Sequence, residues 1–186
     1  MGYRPKGPMT TPTAPSEAFE RQMLPHLAGA YRLAHWLLRD DAAAQDVVQD
    51  SYLKAFEAWG RYRDGNPRAW LLTIVRRQSL NHLRRAKGPG FVDIDDEDAL
   101  TPADARALSH EATPERAAID GQRLKALHAA LAELPLVFRE AILLKDIEDM
   151  PYKMIAEVLG VPVGTVMSRL SRGRDLLRLK LQEMPL

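Results

Sequence analysis

The stretch Tyr152-Lys-Met-Ile-Ala-Glu-Val-Leu-Gly-Val-Pro-Val-Gly-Thr-Val-Met-Ser-Arg-Leu-Ser-Arg-Gly-Arg174 decides the architecture. Ile155, Ala156, Val158 and Leu159 give its first half an apolar helical face. Gly160 can take the left-handed conformation that ends a helix. Pro162 sets the entry into the next one. Beyond it, Val166, Leu170, Leu176, Leu177 and Leu181 can face a core, leaving Ser168, Arg169, Arg172 and Arg174 outside. A helix, a short Gly-containing turn and a second helix with an arginine-rich outer face form the helix-turn-helix pattern. The plainer reading is an antiparallel helix pair in a bundle. Turn chemistry and arginine clustering agree on the first.

Working outward, 186 residues suit one large domain or two small ones. A hydrophobic fraction of 46% is enough for real cores. With no cysteine there is no disulfide, thiolate metal site or cysteine nucleophile, as expected in a reducing, cytoplasmic setting. No run of about 18 apolar residues asks for membrane insertion. The five histidines lack mutual ligand spacing, and no nucleophile–base set or phosphate-binding glycine loop stands out. An enzyme, a metal site and a cofactor are therefore not expected. The net charge of +1 is uninformative, but its distribution is not.

Residues 1–15 carry four prolines and read as a disordered tail. From Ser16, Leu24, Leu27, Tyr31, Ala34, Leu37 and Leu38 recur at helical spacing, with Pro25 as a kink or a break. Asp40 or Asp41 caps the next helix. Its stripe is Ala44, Val47, Val48, Tyr52, Ala55, Phe56 and Trp59, and Gly60 ends it. Asp46, Gln49 and Asp50 share the opposite side, which from residue type alone is a solvated face. Asn66 and Pro67 open a further helix to about Lys87. Thr73, Arg77, Asn81 and Arg84 fall on one side of it.

From Gly60 to Gly90, eight basic residues face Asp64 alone. Such an excess expects a polyanion, making a second nucleic-acid surface. Tyr62, in a loop, is the candidate for stacking on unpaired bases. Trp59 and Trp70 read first as core, with stacking as the alternative. Between Phe91 and Asp120, nine acidic residues oppose two basic ones with poor periodicity, which reads as a linker. The Asp95–Asp98 cluster lacks the spaced ligands and central glycine of a calcium loop. Pro114 starts a helix through Glu133, and Phe138 to Ile147 supply the next. Nothing alternates as a strand would. The chain is thus expected to be all-α: a tail at 1–15, a domain at 16–87, an acidic linker at 88–117 and a four-helix domain at 118–183.

These residues carry a resemblance. Leu134-Pro135, Arg139 to Leu144, Met150-Pro151-Tyr152, Leu159 to Pro162, Gly164-Thr165-Val166, Ser168-Arg169-Leu170 and Arg172-Gly173-Arg174 closely resemble region 4 of extracytoplasmic-function sigma factors. Asp46 to Asp50, Leu53 to Phe56, Pro67 to Leu71, Ile74, Asn81 and Arg84-Arg85 resemble their region 2. Both halves match in order, over about three quarters of the chain, and region 3 is missing, as in that class. The resemblance implies a promoter-specificity subunit of bacterial RNA polymerase. Asp46, Gln49, Asp50 and Lys54 would dock on the clamp of the largest polymerase subunit, and region 4 on the flap of the second-largest. Tyr62, Arg63, Asn66, Trp70, Arg77, Asn81, Arg84 and Arg85 would melt and hold the −10 element. Gly164, Thr165, Met167, Ser168 and Arg172 would read the −35 element, with Arg169 and Arg174 on phosphate or in a structural role. The acidic linker would thread the RNA exit path, and an anti-sigma factor would cover the polymerase-binding surfaces. Many relatives carry Arg or Lys where Met167 stands, so a bidentate guanine contact gives way there to a thymine methyl. A stand-alone helix-turn-helix repressor or activator is the other reading. It needs no second basic module and normally dimerises.

Overall fold

The computed structural model describes residues 14–63, 65–87 and 126–183, and every regular element among them is helical. The expected tail and acidic linker lie outside the described residues, as does the start of the helix expected from Pro114. Helix α1 spans Ala14–Met23 and α2 Leu27–Leu38, with a single 3-10 turn at Leu24–His26 between them. Pro25 therefore separates two helices rather than bending one. The Ser16 hydroxyl donates to Glu20 Oε1 at 3.2 Å from inside α1, instead of capping its start. Arg39, in the left-handed region at φ 59°, closes α2.

Helix α3 spans Asp41–Ala58, and the Asp40 carboxylate accepts from Ala43 N at 2.8 Å. It runs into a 3-10 turn at Trp59–Arg61. Helix α4 is Pro67–Lys87, with Asn66 Oδ1 accepting from Ala69 N at 3.2 Å. Tyr52 ties α3 to the end of α1, its hydroxyl donating to Met23 O at 2.8 Å; burial pushes that phenol up to about 12. Phe56, expected in the core stripe of α3, is 48% exposed and touches Phe19 edge-on. At the end of α3 the stripe has rotated past the core, so the ring caps its edge.

The C-terminal half begins with α5, residues 126–133. Helix α6 is Leu136–Ile142, and its last turn widens into a π-turn at Leu143–Ile147. Glu148 N donates to Leu143 O at 3.0 Å, and Asp149 follows at φ 46°. This extra residue per turn swings Glu148 inward, where it is 6% exposed. Helices α7, Tyr152–Leu159, and α8, Val163–Glu183, meet at a 96° bend. Gly160 ends α7 at φ 70°, with its N–H on Ala156 O at 2.9 Å, as its sequence position requires.

Gly173 faces inward from α8. A Cβ there would lie 3.0 Å from both Phe138 Cβ and Ile142 Cδ1. Phe138 Cβ is fixed to the α6 backbone and cannot swing aside. Gly173→Val is expected to destabilise the fold by about 1–3 kcal/mol through overpacking. Gly164→Ala meets nothing within 4 Å and should gain roughly 1 kcal/mol of helix propensity. Urea unfolding of the two variants measures both.

The two halves share one core. A single buried cluster takes in Leu71, Leu72 and Val75 of α4 together with Leu144, Met150, Ile155 and Val158 of the C-terminal half. Helix α4 lies against α7, and α2 against α6.

Candidate nucleic-acid and polymerase interfaces

Between α3 and α4 the chain turns through Tyr62 and Arg63. The Tyr62 ring stacks on Trp59 with centroids 5.1 Å apart, and tilts against Trp70 at 4.9 Å. Its hydroxyl donates to Gly65 O at 2.7 Å, fixing the loop. Both tryptophans also pack on the core, as their first reading had it. Tyr62 and Trp70 form one wall of a hollow of about 390 Å³, completed by Arg61, Arg63, Asn66, Ala69, Thr73 and Glu157. The hollow is aromatic on one side and basic at its mouth, a combination that suits an unpaired base and its phosphate.

Further along α4, Arg77, Arg84 and Arg85 are exposed and Asn81 half-buried. Asn81 Oδ1 accepts from Arg84 Nη1 at 3.5 Å, so these two act as a pair. Of the expected −10 residues, Tyr62, Arg63, Asn66 and Trp70 surround the hollow; Arg77, Asn81, Arg84 and Arg85 continue along α4 beyond it.

On α3, Asp46, Gln49, Asp50 and Lys54 are all exposed. Lys54 Nζ donates to Gln78 Oε1 of α4, which holds one end of the face. Leu53, 57% exposed, lies among these polar groups. The sequence reading passed over it as a surface residue, although its place seven residues after Asp46 puts it on this face.

The recognition helix α8 offers Gly164 and Met167 at its exposed start, Met167 at 54%. Thr165 and Ser168 are half-buried, and the Ser168 hydroxyl donates to Thr165 O at 3.0 Å. Arg172 is exposed one turn further on. Arg169 and Arg174, expected on phosphate or in a structural role, differ in exposure. Arg169 is 3% exposed, with Nε and Nη1 buried and making no hydrogen bond; it sits one position before Leu170 and three after Val166, on the inward stripe. Arg174 is held by Asp146, Nη2 to Oδ1 at 2.6 Å and Nε to Oδ2 at 3.2 Å. That bond raises its already high pKa and braces α8 against the end of α6.

Five charged residues outside these faces join the two halves. Glu148 receives Arg32 Nε at 2.6 Å and Nη2 at 3.0 Å, and Arg68 Nη2 at 2.5 Å. Arg68 also donates to Glu148 O at 2.8 Å. Burial alone would push the Glu148 carboxyl up, but the bonds from Arg32 and Arg68 outweigh it and hold it below its ordinary value. Arg76 grips Glu140 with two bonds of 2.8 and 3.0 Å. Glu148, Glu140, Arg32 and Arg76 had no assigned role in the sequence reading. Their partners lie 64 to 116 residues away, beyond any local pattern.

Residues 23–88 match the family described as Sigma-70 region 2, and 124–177 the family described as Sigma-70, region 4. The chain is 35% identical over 149 residues to the RNA polymerase sigma-H factor of Pseudomonas aeruginosa, covering 79% of this chain and 77% of that one. It is 30% identical over 154 residues to the ECF RNA polymerase sigma-E factor of Haemophilus influenzae, covering 82% and 80%.

The chain belongs to the extracytoplasmic-function sigma factors.

The region 2 match takes in α2 to α4, and the region 4 match α5 to α7 and most of α8. The sigma factor RpoE of Bartonella quintana, solved with the anti-sigma factor NepR, superposes with a TM-score of 0.71 at 26% identity, over 91% of this chain and 99% of that one. Region 2 makes up less than half of the chain and could not reach that score alone. The two structures therefore share the mutual placement of their regions as well as the helices. The membrane expectation reduces to a narrower fact: among the described residues, no single helix is long and apolar enough to cross a bilayer.

Proposed function

We propose that this sigma factor recruits core RNA polymerase to promoters and acts there as a non-catalytic specificity subunit. The observation that carries this is the aromatic hollow and basic helix of region 2, a second nucleic-acid surface beside the helix-turn-helix. A stand-alone repressor has no use for a base-holding hollow. The α3 face of Asp46, Gln49, Leu53, Asp50 and Lys54 docks on the clamp of the largest subunit, and region 4 on the flap of the second-largest. Tyr62 and Trp70 stack on a base drawn from the −10 duplex, at an unstacking cost of a few kcal/mol. Arg63, Asn66, Arg77, Asn81, Arg84 and Arg85 meet the adjoining strand. Gly164, Thr165, Met167, Ser168 and Arg172 read the −35 major groove. Arg169 and Arg174 position α8 rather than read bases. An anti-sigma factor that covers the α3 face completes the set of partners.

Run-off transcription with core polymerase on genomic fragments tests the assignment: promoter-dependent transcripts are expected, and their absence despite polymerase binding refutes it. Gln49→Ala with Asp50→Ala is expected to weaken the sigma–core complex about tenfold or more, since truncating one partner of a buried hydrogen-bonded charge pair at an interface costs about 2–5 kcal/mol. Affinity measured by fluorescence anisotropy decides this, and an unchanged value returns the face to solvent.

A further inference from the structure

The start of α8 carries an apolar patch on a surface otherwise made of hydroxyls and arginines. Val163 and Met167 lie one turn apart on the same side of the helix and are 39% and 54% exposed. Gly164, between them, has open space where a side chain would be, so it gives the Met167 thioether no cover. This patch belongs to the part of α8 assigned above to the −35 major groove.

Met167 is also where sulfur chemistry concentrates. The chain has seven methionines and no cysteine. With no thiol to compete, the thioethers are the sulfurs that an oxidant meets. Among the described residues, Met23 and Met150 have no exposed surface and Met154 is half-buried, which leaves Met167 as the exposed one.

Oxidation there changes the groove contact in a definite way. A hydroperoxide gives one oxygen atom to the thioether. The sulfur loses two electrons, an S–O bond forms, the O–O bond breaks, and the second oxygen leaves as water or alcohol. The charge of α8 is untouched, so its pull on phosphates stays. The tip of the side chain turns from flexible and apolar to polar, with an acceptor oxygen. Thymine shows the major groove a methyl group and the O4 acceptor. The oxide finds no donor there, and close contact strands a desolvated acceptor.

We propose that Met167 is a reversible oxidation site, whose sulfoxide weakens −35 recognition and whose reduction restores it. The proposal rests on the sigma reading above. A methionine sulfoxide reductase closes the cycle: a dithiol supplies two electrons, and the oxygen leaves as water.

The test treats the full chain with hydrogen peroxide, quenches with catalase and adds untreated core polymerase. Peptide mass mapping follows each methionine, and competitive run-off transcription follows base preference across the −35 element. Met167 is expected to gain its oxygen before Met23, Met150 and Met154. Transcription should fall about tenfold in step with it, toward the low end of what an unpaired buried polar group costs. The base preference at one −35 position should flatten while the circular dichroism spectrum stays the same. The two epimer-specific sulfoxide reductases with dithiothreitol should reverse both changes. Met167→Leu keeps an apolar tip without the sulfur. Measured against its own untreated form, it should lose nothing at the same dose. An equal loss in Met167→Leu, or oxidation of Met23 and Met150 ahead of Met167, overturns the proposal. Transcription that survives full oxidation of Met167 overturns the oxidation site's role alone. No transcription from the untreated protein removes the sigma assignment, and the proposal with it.

Discussion

Arg76→Ala is expected to destabilise the folded chain by about 3–5 kcal/mol, the range for removing one member of a buried ion pair. The reason is which charge is left behind. Glu140 has no exposed surface, whereas the Arg76 side chain keeps 14% of its own. Removing Arg76 takes two hydrogen bonds from a fully buried carboxylate; removing Glu140 leaves a cation that water can partly reach. Glu140→Ala should therefore cost less, at the lower end of the same range. The pH dependence gives a second readout. Without Arg76, burial favours the neutral carboxyl and raises its pKa. A group with a raised folded pKa stabilises the fold below its unfolded value, near 4.3, and loses that contribution as pH rises through the folded value. The deficit of Arg76→Ala should thus shrink between pH 7 and pH 5, while that of Glu140→Ala should not. Replacing both residues by apolar ones of similar size should recover most of the loss. Urea unfolding at the two pH values decides it, and equal losses in both single variants would show that burial of Glu140 is not what matters. Because this pair spans the two regions, parting them is a cheaper response than unfolding. A drop in the slope of free energy against urea would reveal that route.

Glu148 predicts the opposite trend in the wild type. Its folded pKa is depressed, so its contribution is present above the ordinary carboxyl value and is lost as pH falls through the depressed one. The seam between the two halves should consequently weaken in acid, while the Arg76→Ala deficit fades there. Two carboxylates at one seam give contrary pH dependences because one keeps Arg32 and Arg68 and the other has lost Arg76.

How much of this was legible in the sequence depends on distance along the chain. Local rules placed what is local: Asp40 or Asp41 and Asn66 as caps, Gly160 as a left-handed stop, Pro25 as a kink or a break and the helix-turn-helix pair α7–α8. The aromatic–basic loop at Tyr62 was visible because its residues are consecutive or one turn apart. Arg169 was misplaced because charge type outweighed periodicity. Val166, Leu170 and Gly173 define an inward stripe on α8, and Arg169 lies within it. Phe56 went wrong the other way, its apolar type outweighing a helix phase that had turned outward. The Glu148 clasp was invisible for two physical reasons. Its partners come from opposite halves of the chain. And Glu148 looks like an ordinary polar turn residue until the π-turn at Leu143–Ile147 adds the residue that points it inward.

Met167→Arg is expected to change which base pair the sigma factor prefers at one −35 position. Met167 stands in the second turn of α8 and is 54% exposed. A thioether side chain donates nothing, so what it offers the major groove is apolar contact, best matched by the thymine methyl. A guanidinium there presents a planar fork to guanine O6 and N7, worth about 1–3 kcal/mol of discrimination, or roughly 5- to 150-fold between bases. One extra positive charge also strengthens binding to every sequence and steepens its salt dependence. A general gain in transcription is therefore not the signal. The signal is the ratio among the four base pairs at a single position, with the other −35 positions keeping their order. Competitive run-off transcription over a template library randomised across the −35 element measures all these ratios in one experiment. A uniform gain with no change of rank would put Met167 beside the backbone rather than over a base edge. Arg172, one turn further along the exposed side of α8, would then be left as the residue that reads it.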